Sequence, residues 1–308
     1  MNPITETGGA HYYAQTGDPR YGATLREARK ENYFPSITTI LGSWPSGYLA
    51  DWITFEVLKA RHNNPPKGAA KKKVITGEDL TEEQQEYFKK IVDISHTVRD
   101  DARDRGNEIH EGGEAMLLGK PWNKKDESLN HLWEWFKDNL DGPPYWTERS
   151  LVNLDLRVAG RADGLIRTKG DERPLLIDFK GRKFDHGPRK GWRAKRYAKD
   201  LIQLAFYAST MPDPPRIANI YIHREAHCPV EVAEYTDAER DAAFEMVKHV
   251  AAIWFYDKKY HPEVNHEDIL AHLENAAPWW NGNGLINGTG DEAFDMKHPY
   301  ESRVGVDD

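Results

Sequence analysis

Residues 158–183 read VAGRADGLIRTKGDERPLLIDFKGRK. Two apolar runs flank a Lys169-Gly170-Asp171 turn signal, which predicts a β-hairpin with strands over Leu156–Ile166 and Leu175–Phe179. Alternate residues of a strand share a face. Asp178 and Lys180 therefore point one way, and Ile177 and Phe179 point the other way into a core. The turn folds Asp163 back beside the second of these strands, with Gly160 and Gly164 leaving room next to it. Two carboxylates and a lysine gathered in this way can hold a hard divalent cation against a phosphate. Mg²⁺ takes one or two carboxylates plus waters and phosphate oxygens. A metal so held lowers the pKa of a bound water, and Lys180 could orient that water or neutralise developing charge. An isolated D-x-K triplet more often marks a solvated cross-strand pair, so the surrounding chain decides the reading.

Downstream, residues 180–199 (KGRKFDHGPRKGWRAKRYAK) carry nine Lys or Arg and one Asp. Net charge is −8 over 308 residues, but segregated charge can still leave a basic patch for nucleic acid. Arg182, Lys183, Arg189, Lys190 and Arg193 are candidate phosphate contacts, with Phe184, Trp192 and Tyr197 interleaved for base stacking. A solvated positive loop is the alternative. Gln203 and Tyr207, four apart, share a helix face. They could bond phosphate or the surroundings of Lys180, or be a surface Gln and a packing Tyr. Glu148, on a predicted strand Trp146–Asp155, could orient a metal-bound water or be a solvated strand carboxylate. Ser36 and Thr38 could donate to phosphate or cap a helix.

The rest of the chain supplies a frame. Residues 1–32 read as mostly irregular, with a short helical pattern at Thr24–Asn32. Helical patterns cover Leu49–Arg61, a long stretch beginning at a Thr81/Gln84 capping box and ending near Gly119, and Leu129–Leu140. Residues 62–77, with lysines at 67–73, form a Pro/Gly/Lys-rich connection. A helix over Ala198–Thr210, strands at Ile217–His223 and Val230–Tyr235, and a helix capped by Thr236 or Asp237 follow. Residues 261–308 read as a loosely attached C-terminal tail with one short helix near Glu267–Asn275. The order of elements predicts an α/β fold. A single cysteine, Cys228, excludes an intrachain disulfide and a four-cysteine metal site. No apolar run approaches the roughly 18–20 residues of a membrane span. The N-terminus lacks the charged and apolar regions of a signal peptide, so a cytoplasmic protein without membrane contact is expected.

Several of these pieces together resemble one family. Gly160-Arg161-Ala162-Asp163, a turn, and Leu175-Leu176-Ile177-Asp178-Phe179-Lys180 resemble the core of the PD-(D/E)XK nuclease superfamily. Arg105-Gly106-Asn107-Glu108-Ile109-His110 is similar to the helix preceding that core in its RecB-like branch, which includes phage-type and mitochondrial exonucleases. Gln203-Leu204-Ala205-Phe206-Tyr207 is similar to the Q-x-x-x-Y helix that follows it there. Phe34–Leu41 looks like the P-S-V-T-T-I-L segment of phage-type exonucleases. The likeness spans about residues 11–255. Lys180 is followed by Gly-Arg where the branch more often has Thr, and a single cysteine excludes its iron–sulfur members.

The resemblance implies a restriction-endonuclease-like mixed central sheet flanked by helices, with helical N-terminal additions. It divides the chain into an N-terminal segment (1–32), a nuclease domain (33–260) and a tail (261–308). It implies His110, Asp163 and Asp178 as ligands of Mg²⁺ or Mn²⁺, with the Phe179 carbonyl as a further ligand and Lys180 as the catalytic lysine. Arg105 joins the expected DNA contacts, and Gly106 and Gly113 would let the His110 helix approach the sheet. A neutral imidazole among oxygens favours Mn²⁺ more than Mg²⁺ alone would. The expected activity is hydrolysis of phosphodiesters at DNA ends, in phage-type recombination, repair or genome processing, in the host cytoplasm if phage-encoded. A recombination partner protein belongs to the same expectation. The alternatives are a non-catalytic DNA-binding protein on this scaffold, and a nuclease acting on RNA or endonucleolytically.

Overall fold

A computed structural model describes residues 11–43, 82–187 and 191–265. The chain divides into two compact units, Met1–Trp44 with Glu108–Asp308, and Pro45–Asn107. The expected helix at Leu49–Arg61, the Thr81/Gln84 cap, the lysines at 67–73 and the helix near Glu267–Asn275 lie outside the described residues. No helix among the described residues is long and apolar enough to cross a membrane.

In the larger unit, β1 (Tyr12–Tyr13) pairs with β2 (Pro19–Arg20) and β3 (Phe34–Pro35) in a small antiparallel sheet. Between β2 and β3 lies α1 (Leu25–Glu31). Thr24 and Glu27 close a reciprocal capping box at its start, and Asn32 ends it in the left-handed conformation. The 11–32 segment is thus more ordered than its sequence suggests. Helix α2 (Ile37–Gly42) follows, with the Ser36 hydroxyl accepting from the Thr39 amide. Helix α3 (Glu82–Leu117) belongs to the larger unit from Glu108 onward. Helix α4 (Glu127–Asn139) starts two residues before the predicted Leu129, because Asp126 caps it.

The central sheet has five strands in the order β10-β9-β6-β5-β4. These are β4 (Trp146–Asn153), β5 (Val158–Ile166), β6 (Leu175–Arg182), β9 (Arg216–His223) and β10 (Glu231–Tyr235). The β6–β9 pair is parallel and the other three are antiparallel. The connection between the parallel strands is long enough to hold helix α5 (Ala198–Ala208). The last helix, α6 (Asp237–Lys258), is opened by a Thr236/Glu239 capping box. This is an α/β fold with a mixed central sheet and helices on both faces, as the sequence predicts.

Two core clusters cover the two sheet faces. One joins Ile37, Ile40, Leu176, Leu204, Tyr207, Ile217, Val247 and Trp254. The other joins Ile109, Met116, Leu132, Phe136, Ile177, Phe179, Ile220 and Ile222. Each large apolar side chain so buried contributes roughly 1.5–3 kcal/mol. The second cluster requires close approach of α3. A Cβ on Gly113 would lie 2.7 Å from the Phe179 ring, whereas one on Gly106 would meet nothing within 4 Å. Gly113 therefore fits the expected role; Gly106 lies in the smaller unit.

Two predictions change. The first strand of that hairpin begins at Val158 rather than Leu156, because the Asn153 side chain accepts from the Leu156 amide and Arg157 takes φ +57°. Most of the basic run is strand, not an open loop: β6 continues to Arg182, and β7 (Phe184–Gly187) pairs with β8 (Gly191–Ala194).

Candidate active site

The site forms where the sheet opens around Asp163. The β4–β5 ladder pairs Thr147 with Gly164 and Arg149 with Ala162, but is interrupted between them, at Glu148 and Asp163. Glu148 takes φ +47° there, a strained backbone for a non-glycine residue. The β5–β6 ladder likewise stops at Gly164–Ile177, just short of Asp163. Side-chain alternation in β5 changes across this point. Val158 and Ala162 join the first core cluster, and Ile166 joins the second. The Phe179 amide, released from the ladder, donates to Asp163 Oδ2 at 2.6 Å. Asp163 Oδ2 also lies 3.3 Å from His110 Nδ1 on α3.

Asp178, 1% exposed, faces α5. Its Oδ2 is 2.6 Å from Lys180 Nζ and accepts from Asn219 Nδ2 at 2.9 Å, and its Oδ1 accepts from Gln203 Nε2 at 3.2 Å. Gln203 also accepts from Lys180 Nζ at 3.1 Å and bonds the Tyr207 hydroxyl at 3.0 Å. Gln203 is thus a bridge between the acid and the lysine rather than a surface residue. Tyr207 is 1% exposed and packs so closely on β5 that a Cβ on Gly160 would lie 2.7 Å from its ring. Asn219 is held in turn by the Tyr235 hydroxyl at 3.0 Å.

Electrostatics separate the two aspartates. Burial pushes Asp178 up to about 6, assisted by Asp163 and opposed by Lys180. Burial acts on Asp163 too, but His110, Lys180 and the Phe179 amide outweigh it and hold its carboxyl low. Burial would lower the Lys180 ammonium, yet Asp178, Asp200 and Asp163 keep it raised. His110 follows the same pattern: burial lowers it, and Asp163 more than compensates. Burial and then Asp163 push Glu148 up to about 7, against the Arg161 guanidinium 2.6 Å from its carboxylate. Titratable pairs whose environments drive them apart mark candidate acid–base sites.

The structure therefore brings together His110, Asp163, Asp178, Lys180, Gln203 and Tyr207, with Glu148 opposite Asp163. The donor set, carboxylate oxygens plus one imidazole, fits Mg²⁺ or Mn²⁺ by its chemistry. Among the described residues, no three His, Cys, Asp or Glu side chains converge in metal-ligating geometry. The oxygens of Asp178 are taken by Lys180, Asn219 and Gln203. A cation at its Oδ2 would displace the Lys180 ammonium.

The other candidates scatter. Ser36 is 1% exposed and its hydroxyl is used in the helix cap and by Thr38 and Thr39, so its capping role holds; Thr38 is exposed. Arg105 lies in the smaller unit. Arg189 and Lys190 lie outside the described residues. Lys183 pairs with Glu225 at 3.5 Å in an exposed bridge worth little, and the exposed Arg193 lies 4.0 Å from the largely buried Glu231. The expected stacking aromatics are engaged within the protein. Phe184 is 3% exposed, and Trp192 stacks on His227 at 5.2 Å with His186 at 4.8 Å. Sequence reading missed Asn219 and Asp200. The signal was there for Asn219, a polar residue inside the apolar strand IANIYIH.

No family model and no curated protein matches the sequence. Among solved structures, one similar to part of this chain is a crystal structure of a protein from Eubacterium rectale proposed to be an exonuclease. It shows 11% identity, a TM-score of 0.29, and coverage of 73% of this chain and 68% of that one. So low a likeness leaves the chemistry to be argued from the geometry above.

Proposed function

We propose that this protein is a metal-dependent nuclease of the PD-(D/E)XK type that hydrolyses DNA phosphodiesters, acting at strand ends. The observation that carries the reading is the placing of buried Asp163 and Asp178 on adjacent strands, with Lys180 on the Asp178 face and His110 against Asp163. Burying two carboxylates and an ammonium is costly without a function to retain them. His110, Asp163 and Asp178, with the Phe179 carbonyl, would hold Mg²⁺ or Mn²⁺. An ion held by these residues would lower the pKa of a bound water and offset phosphate charge.

The chain's own residues do the rest. Once Lys180 is freed from Asp178, its ammonium is tethered by Gln203 and can turn toward the attacking water or the phosphate oxygens. Asn219 fixes the Asp178 carboxylate in its plane, and Gln203 is fixed by Tyr207. Glu148, with a carboxyl poised near neutrality, can accept a proton at the Asp163 edge of the site. Lys183, Arg193 and Thr38 are exposed and could meet the DNA backbone. Recombination or repair, with a recombination partner protein and a cytoplasmic setting, is the biological context that the motif resemblance suggests.

The test is digestion of end-labelled linear DNA beside a closed circle and an RNA of the same sequence, with Mg²⁺, Mn²⁺ or chelator. Ion-dependent shortening of linear DNA alone is expected. Cleaved circles would replace the end-directed reading with an endonuclease. RNA cleavage without DNA cleavage would change the substrate. Salt-sensitive DNA binding without any cleavage would leave a binding protein.

A further inference from the structure

Arg182 lies two residues beyond Lys180 on the same face of β6, a step of about 6.7 Å along a strand. Its NH2 group donates to Asp200 Oδ1 at 2.7 Å, and its guanidinium lies 4.8 Å over the Tyr197 ring. Its Nε is buried and has no hydrogen-bond partner. The side chain is still 26% exposed and can be reached from solvent.

Asp200 is built to aim this arginine. It is 4% exposed at the start of α5, and its Oδ2 accepts from the Tyr221 hydroxyl at 3.1 Å and the Tyr197 amide at 3.4 Å. It also acts electrostatically on Lys180. One buried carboxylate therefore addresses two consecutive cations of β6. A planar guanidinium fixed on one side by a carboxylate and stacked on a ring presents its remaining donors in a set direction, the geometry that suits a phosphate.

We infer that Arg182 binds the phosphate next to the one engaged at Lys180, and that Asp200 is the positioning residue that aims it. The inference rests on the nuclease reading, since it takes the ligand to be a nucleic-acid strand whose successive phosphates follow the alternate residues of β6. It assigns Arg182 a subsite of its own, distinct from the exposed Lys183 and Arg193.

The test uses DNA oligonucleotides carrying one neutral methylphosphonate on either side of the scissile linkage. Wild type, Arg182→Ala, Arg182→Lys and Asp200→Asn are compared by cleavage rate in Mn²⁺ and by DNA binding in chelator. Neutralising the contacted phosphate should cost wild type roughly tenfold to a hundredfold. Arg182→Ala should lose a similar factor on ordinary DNA and be indifferent to the neutral linkage. Arg182→Lys should regain part of the loss, and Asp200→Asn should raise KM more than it lowers kcat. If Arg182→Ala fails to fold, the double variant Arg182→Ala/Asp200→Asn, which also removes the buried carboxylate left without its partner, takes its place. Equal sensitivity of wild type and Arg182→Ala to the neutral linkage overturns the inference. Absence of cleavage by wild type would instead sink the nuclease reading, and the same comparison in binding would still decide Arg182.

Discussion

The Lys180 ammonium lies 2.6 Å from Asp178 Oδ2, and Gln203 bonds both residues at once. The acid and the lysine of the D-x-K triplet are therefore one buried unit in this structure. Removing the lysine should leave an uncompensated carboxylate. Lys180→Met is expected to destabilise the metal-free protein by about 3–5 kcal/mol. Mn²⁺ should restore part of that loss, because a cation at Asp178 replaces the missing charge. Denaturant unfolding of the variant with and without Mn²⁺ measures both effects.

Stability of the metal-free protein should fall as pH rises from 5 to 8. Glu148 is raised from its ordinary value to about 7 and Asp178 to about 6. Between the ordinary carboxylate range and those values, the folded state binds more protons than the unfolded state. The stability they contribute at low pH is lost as pH passes through 6 and 7. The raised imidazole of His110 acts in the same direction. Asp163, held low, adds a constant contribution above pH 4. Glu148→Gln should flatten the profile, removing a penalty on the order of 2–3 kcal/mol at pH 8. Thermal melts at stepped pH check this. A profile that rises toward pH 8 would contradict the burial of these carboxyls.

The support behind Asp178 should be as sensitive as the acid itself. Asn219 is fully buried and bonds both Asp178 and the Tyr235 hydroxyl. Asn219→Ala should cost roughly 1–3 kcal/mol for the two groups left unsatisfied. Asn219→Asp should be worse, since it faces Asp178 with a like charge. Urea titrations of the two variants give the comparison directly.

Two glycines on the same helix should respond in opposite directions. Gly113→Ala forces a methyl to 2.7 Å from the Phe179 ring and should cost roughly 1–3 kcal/mol. Gly106→Ala meets nothing within 4 Å in a helix interior and should stabilise by about 0.4–1 kcal/mol. Differential scanning calorimetry of the pair resolves the sign.

Much of this arrangement is legible in the chain. The period-two alternation around Ile177 to Lys180 places the acid and lysine on one face and the apolar pair on the other. The turn at Gly170 brings Asp163 back. His110 is reached chiefly through spacing that resembles a family motif, with Gly113 as the one local sign that α3 comes close to the sheet. The rest depends on contacts distant in sequence. The reach of Gln203 across to Asp178, 25 positions away, needs the parallel crossover to be in place. The basic run looks open in the sequence because two of its partners, Glu225 and Glu231, lie well beyond it along the chain, and Asp200 meets Arg182 only through the fold. Likewise, Trp192 looks free to stack on bases until His227 and His186 are seen against it. The opened ladder at Glu148 and Asp163 has no local sequence signature, because positive φ at a glutamate is imposed by its surroundings.

The most direct test of the central claim is the rate of cleavage of a 5′-labelled linear DNA in Mn²⁺ by wild type beside Asp163→Asn. Asparagine keeps the shape and can still accept from the Phe179 amide, but carries no charge for a cation. The account predicts ion-dependent shortening by wild type and a loss of at least about a hundredfold in the variant, with DNA binding in chelator preserved. Full activity in Asp163→Asn, or no cleavage by wild type with either ion, would contradict it.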